Sequence, residues 1–156
     1  MTSYPGQEAP SPHTPAEKLQ LSRDMVAMTP QAAALGMEVV KIENGIVHAR
    51  TPYKPEFVGD PDTGVIAGGV LTTFLDQLSG VAAIHASDFA GAVATLDLRI
   101  DYMRPAEPGR DILAEAQCIR RSRTIAFIRA TAFEDNADNP IAVSMASFML
   151  TGAKAP

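Results

Sequence analysis

Gly64-Val65-Ile66-Ala67-Gly68-Gly69-Val70-Leu71-Thr72-Thr73-Phe74-Leu75-Asp76-Gln77-Leu78-Ser79-Gly80-Val81-Ala82-Ala83-Ile84 decides the architecture of this chain. A glycine pair opens about 17 residues of helix-compatible sequence without proline. Leu71, Phe74, Leu75, Leu78, Val81, Ala82 and Ile84 recur at helical spacing and give one broad apolar face. Asp76 is the single charge in the stretch. Thr72 and Thr73 stand one turn before it and Gly80 one turn after, a narrow polar strip on an apolar cylinder. An unpaired carboxylate on such a helix has two readings. It is solvated on the helix's outer side or bonded to the Thr72 hydroxyl, or it lies on the floor of a site.

The chain around this helix has 156 residues, enough for one domain with a sizeable core. It is 46% hydrophobic and 20% charged, as expected of a globular protein. A net charge of −5 argues against nucleic acid or an anionic membrane as the main partner. The single cysteine, Cys118, excludes an internal disulfide and the common zinc patterns, and it reads as a buried structural thiol. No run of 18 apolar residues suggests a membrane span, and the polar N-terminus does not read as a secretory signal, so a cytoplasmic location is expected.

Upstream of the helix, Pro5, Pro10, Pro12 and Pro15 mark residues 1–15 as a flexible tail in which His13 is inert, with one domain spanning 16–156. Ala16 to Met28 predicts a helix, and Pro30 to Leu35 a further turn stopped by Gly36. Met37–Ile42 and Gly45–Tyr53 alternate as strands about an Asn44-Gly45 hairpin turn, with His48 solvated. Lys54 to Gly64 reads as a loop. Downstream, Ala92 to Met103 reads as a long strand with Ala94, Leu96, Leu98, Ile100 and Tyr102 facing the core. Asp111–Arg120, Thr124–Phe133 and Ile141–Leu150 add three strands, so that four run in meander. The expected class is α+β: a long central helix wrapped by a curved antiparallel sheet of about six strands, with an N-terminal helix.

Three blocks in this order resemble the hotdog-fold acyl-CoA thioesterases of the phenylacetate-pathway, PaaI-like branch. They are Gly64–Gly69 leading to Leu75-Asp76, the strand Leu96 to Ala106 containing Tyr102-Met103-Arg104-Pro105-Ala106, and the basic hairpin Arg120-Arg121-Ser122-Arg123-Thr124. The resemblance covers roughly residues 30–151. It implies hydrolysis of an acyl-CoA or aryl-acyl-CoA thioester, with Asp76 as nucleophile or general base. It implies that the Gly69 backbone amide, with Gly68 and Val70 beside it at the helix N-terminus, stabilises the oxyanion, and that Thr95 assists the attacking water. Thr72 and Thr73 would line the substrate, while Arg121, Ser122 and Arg123, with Arg120 beside them and Arg104 as a second candidate, would meet the coenzyme A phosphates. Gln77, Leu78, Ser79 and Gly80 would abut the acyl group. Coenzyme A enters as part of the substrate, and no metal or other cofactor is implied. Because carboxylate and glycine amide come from different subunits in this family, a homodimer or a homotetramer (a dimer of dimers) is expected.

Two positions depart from the family pattern: Ala67 stands where the family has His, and Pro61 where it has Asn. They motivate an alternative, a degenerate protein that binds acyl-CoA without turning it over. A hotdog dehydratase needs a His base. The nearest downstream, His85, lies about two and a half helical turns beyond Asp76.

Overall fold

The computed structural model describes residues 11–151. Helices α1 (Pro15–Met28) and α2 (Pro30–Leu35) lead into β1 (Glu38–Glu43) and β2 (Ile46–Thr51). A 3-10 turn at Pro55–Phe57 precedes a ribbon of β3 (Val58–Asp60) and β4 (Val65–Ile66). Helix α3 (Gly68–Ala86) follows, then β5 (Ala92–Tyr102), β6 (Ile112–Arg121), β7 (Ile125–Phe133) and β8 (Ala142–Thr151). The main sheet is antiparallel in the order β1-β2-β6-β7-β8-β5 and wraps α3, which is the expected hotdog arrangement.

Local signals explain the helix ends and the first turn. Thr14 caps α1 and Glu17 reaches back to the Thr14 amide, a reciprocal capping box with Pro15 in the first turn. Gly36 closes α2 in the left-handed region at φ 67°. Asn44 and Gly45, both at positive φ, make the two-residue turn between β1 and β2.

The core lies between α3 and the sheet. Phe74, Leu75 and Leu78 are fully buried, and they meet a sheet whose inward positions are mostly small: Ala114, Ala116, Ala126, Ala130, Ala132, Ala142 and Ala146. A surface of methyl groups lets the bulky helix face nest against the strands at interior packing density.

The structure corrects four expectations. The tail does not extend to residue 15. Its residues 1–10 lie outside the described range, but Ser11 bonds the Asp88 carboxylate at 2.5 Å and His13 packs edge-on against Phe89. The segment 54–64 holds the 3-10 turn and β3 as well as loop. The last four strands are not one meander. β5 pairs with β8, because Met103 donates to the Ile141 carbonyl and the next residues carry the chain across the sheet end to β6.

Strand β5, finally, does not keep one parity. A bulge lies between Thr95, opposite Phe148, and Asp97, opposite Ser147. Leu96 is therefore 50% exposed, and Val93 packs on the core with Leu98 and Ile100. One extra residue shifts the alternation, and a bulge is the structure that absorbs it.

The two edges of the sheet are treated differently. At β1, the Arg23 guanidinium bonds the carbonyls of Val39 at 2.9 Å and Val40 at 3.2 Å, with α1 packed alongside. At β5, no strand pairs with the outer edge among the described residues.

Candidate active site

The start of α3 lacks a side-chain cap. Ala67 is the N-cap, in extended conformation, and its amide bonds the Phe57 carbonyl at 2.8 Å. A Cβ on Gly59 would sit 2.8 Å from Ala67 Cα, so residue 67 is pressed against the β3 backbone. The helix's first amides, at Gly68 and Gly69, have no intrahelical acceptor by position and carry the positive end of the dipole. Both residues are exposed. A Cβ on Gly68 would lie 3.4 Å from the Tyr102 ring, whereas one on Gly69 would meet nothing within 4 Å.

Asp76 is two turns further along α3. It is half-buried against β5, where the Thr95 hydroxyl donates to Asp76 Oδ1 at 3.0 Å. The bulge makes this contact, because without the parity shift Thr95 and the inward-facing Leu98 would lie on opposite faces. Asp76 forms no ion pair among the described residues, and its second oxygen has no hydrogen-bond partner there. The carboxylate is thus neither fully solvated nor spent on a structural salt bridge. One oxygen is fixed, and the other has no partner among the described residues.

Between Gly69 and Asp76, the Thr73 hydroxyl bonds the Gly69 carbonyl at 3.0 Å. The Thr72 hydroxyl lies 3.2 Å from the Gly68 carbonyl and 2.6 Å from the Tyr102 hydroxyl. Val70 is half-buried on the same turn and packs against the core. Leu78 and Ser79 are fully buried, so of the four residues expected beside the acyl group only Gln77 and Gly80 reach the surface.

The basic hairpin stands at the opposite end of α3. Arg120, Arg121 and Arg123 are exposed, and the Ser122 hydroxyl accepts the Ile125 and Thr124 amides at 3.0 and 3.3 Å, which shapes the turn. Arg120 and Arg121 border a cavity of about 680 Å³ that also takes in Lys18, His85, Asp88 and Cys118. Asp76, Thr95 and Gly69 lie outside its lining.

Arg104 is not with the hairpin. Its guanidinium grips Glu134, whose side chain is 2% exposed, and also the Asn139 carbonyl at 2.8 Å. It is a strut, so its candidacy for phosphate is withdrawn: a forked guanidinium already facing a buried carboxylate has its donors committed. Burial pushes the Glu134 carboxyl up, but the Arg104 hydrogen bond and the Glu107 amide outweigh it and hold it below the usual range.

The Pro61 turn is self-contained, with the Asp60 carboxylate accepting the Asp62 amide at 3.1 Å and the Thr63 hydroxyl at 2.7 Å. The three histidines stand away from Asp76. His48 is half-buried rather than solvated, 3.9 Å from Glu115, and His13 and His85 both meet Phe89. Burial pushes His48 and His85 below the usual histidine range. Cys118 is part-buried, its thiol donating to the Arg120 carbonyl at 3.3 Å, and burial pushes its pKa up.

Sequence reasoning gave no role to Tyr102, whose hydroxyl reaches the first turn of α3. The available signal was a tyrosine on the inward parity at the exposed end of a strand, where a polar tip needs a partner.

Comparison with known proteins bears on the family and the fold. The model of the family described as "Thioesterase superfamily" matches residues 63–140. A Halobacterium salinarum protein carrying a provisional esterase name is 33% identical over 122 residues, covering 73% of this chain and 80% of that protein. The Escherichia coli K12 medium/long-chain acyl-CoA thioesterase YigI is 26% identical over 130 residues, covering 74% and 83%. Among solved structures, a Pseudomonas aeruginosa protein superposes with a TM-score of 0.74 at 32% identity, covering 85% of this chain and 98% of that one. PaaI from the E. coli phenylacetic acid degradation operon has the same fold, with a TM-score of 0.75 at 16% identity over 89% and 97%.

Proposed function

The chain belongs to the thioesterase superfamily, and on that footing we propose that it hydrolyses an acyl-CoA or aryl-acyl-CoA thioester with Asp76 as its reactive carboxylate. The observation that carries this is the Asp76 carboxylate itself, held at one oxygen by Thr95 and left free at the other.

As general base, the free oxygen takes a proton from water while the water oxygen attacks the thioester carbon. As nucleophile, it attacks that carbon itself and forms a mixed anhydride, which water then opens. On either route the carbonyl π electrons move to oxygen, the tetrahedral centre collapses, and the C–S bond breaks to release coenzyme A as thiolate. A thiolate leaves readily, so a positioned carboxylate and an oxyanion donor suffice. Gly69 N–H is that donor in this reading, with Gly68 and Val70 forming the turn that presents it.

Gly69 and Asp76 are seven residues apart, about 10 Å along the helix axis, and Thr72 and Thr73 fill the strip between them. Attack from about 3–3.5 Å and oxyanion donation at about 3 Å need the two groups closer together than this. The reading therefore takes the donor from a second copy, docked along the open β5 edge, so that Asp76 of one protomer faces the partner subunit's Gly69. A homodimer is the minimal active unit, and a homotetramer would repeat it. Arg121 and Arg123, on the turn shaped by Ser122, would meet the phosphates of the coenzyme A portion.

Thiol release measured over octanoyl-, decanoyl-, palmitoyl- and phenylacetyl-CoA, beside Asp76→Asn, tests the reading. The expected result is turnover of at least one ester and a loss of about 10²–10⁴-fold in kcat in the variant. Undiminished turnover in Asp76→Asn would refute it. Ala67 at the family's His position supports a second reading, an acyl-CoA binder without turnover. Binding of the same esters without thiol release by the wild type would select that reading instead.

A further inference from the structure

We propose that Tyr102 is a positioning residue for the oxyanion donor: through its hydroxyl it fixes and polarises the Gly68–Gly69 peptide group. This rests on the reading of Gly69 N–H as that donor.

The Tyr102 hydroxyl donates to the Gly68 carbonyl at 3.0 Å. That carbonyl and the Gly69 N–H belong to one planar peptide unit. A donor on the oxygen draws density from the nitrogen and makes the N–H a stronger donor in turn, and it also fixes the plane in which the N–H points. A Cβ on Gly68 would be 3.4 Å from two carbons of the Tyr102 ring, so the ring stands close beside this residue.

Thr72 extends the chain of bonds. Its hydroxyl is 2.6 Å from that of Tyr102 and 3.2 Å from the Gly68 carbonyl. Each hydroxyl has one proton, and the short oxygen–oxygen distance requires one of them between the two. The phenol is the stronger acid and the nearer to the carbonyl, so it donates there and Thr72 donates to the phenol oxygen. The order is Thr72 hydroxyl, Tyr102 hydroxyl, Gly68 carbonyl, Gly69 amide, thioester oxygen.

The structural setting supports a role in function. Tyr102 is 52% exposed at the end of an edge strand, so within one protomer its ring buries little. Its hydroxyl nonetheless bridges 34 residues to the uncapped start of α3. If cooperativity adds about 10–30% to a donor worth about 10²–10³-fold in rate, the hydroxyl contributes roughly a two- to eightfold rate effect.

The test is Tyr102→Phe, which keeps the ring and removes the hydroxyl, beside Asp76→Asn on the four-ester panel. Decanoyl and phenylacetyl ligands of two kinds are added: a difluoroketone analogue of the CoA ester, with CF2 on the acyl side of the carbonyl and CH2–S–CoA on the other, whose hydrate mimics the tetrahedral oxyanion, and a thioether analogue with CH2 in place of the carbonyl. The expected result is a kcat lower by about two- to eightfold with KM unchanged. Affinity for the ketone should fall by the same factor while that for the thioether is kept. In nuclear magnetic resonance, the Gly69 amide nitrogen should shift when the bond to its peptide carbonyl is lost.

Unchanged kcat, ketone affinity and Gly69 resonance, with Asp76→Asn inactive, would overturn this proposal and leave hydrolysis standing. Equal loss of affinity for both analogues would also overturn it, by showing that Tyr102 only shapes the pocket. Full turnover in Asp76→Asn would refute Asp76 as the reactive carboxylate, and the Gly69 resonance would still decide whether Tyr102 acts on that peptide.

Discussion

Gly69 sits in the first turn of a 19-residue helix, its φ is not positive, and nothing among the described residues crowds it. Neither backbone conformation nor packing inside the protomer asks for glycine there, and glycine in a helix is about 0.5–1 kcal/mol worse than alanine. A ligand or partner passing close to the backbone explains the position. Gly69→Ala is therefore expected to keep or raise the melting temperature while lowering thiol release. A variant as active as wild type would show that nothing passes within a methyl group of residue 69. At this scale the sequence was informative about Asp76, a lone charge on an apolar helix. It was silent about which oxygen is held, because Thr95 lies 19 residues away and faces Asp76 only through the bulge. Tyr102 was equally hidden, since a hydroxyl's distant acceptor leaves no mark on local pattern.

Helix α3 and the small-residue face of the sheet were legible as elements, because 3.6-residue and two-residue periodicities record which side is buried. The strand order was not legible. The pairing of β5 with β8 is non-local, and it depends on the strut that carries the chain from β5 to β6. In that strut Arg104 and the Glu107 amide hold the buried Glu134, and Arg110 pairs with both Glu107 and Asp135. Because the Glu134 carboxyl is held below its unfolded value, its contribution is present above pH about 4.3 and is lost as pH falls through the lower folded value. Asp111 adds to the same limb. The Tyr53 amide and then Arg50 hold its carboxyl down. Glu134→Gln should destabilise the protein at neutral pH by on the order of 2–3 kcal/mol. This is less than the ~3–5 kcal/mol for a fully buried pair, because Arg104 is 26% exposed. Melting temperature followed from pH 7 to pH 3 should fall less steeply in the variant. A parallel curve would mean that the pair does not set acid stability.

At the scale of the molecule, the two sheet edges make opposite statements. The β1 edge is closed by α1 and Arg23, the usual defence against strand addition. Among the described residues the β5 edge is open along eleven residues and exposes Leu96 and Tyr102, with Met103 just beyond. Antiparallel pairing of two β5 strands about a two-fold axis midway between Thr95 and Tyr102 would bring the Asp76 end of one protomer to the α3 start of the other. The sequence showed a long strand but not that its edge is free, since that depends on what the rest of the chain leaves uncovered.

Complementation between two inactive variants tests the shared site most directly. Asp76→Asn removes the carboxylate, and Gly69→Pro removes the donor N–H at a first-turn position where proline is tolerated. Co-expressed with different tags and assayed for thiol release, the pair is expected to recover about a quarter of wild-type activity. Half of the dimers are then mixed, and each mixed dimer holds one intact site of two. Inactive parents whose mixed dimers are isolated and stay inactive would contradict a site built from the carboxylate of one protomer and the glycine amide of its partner.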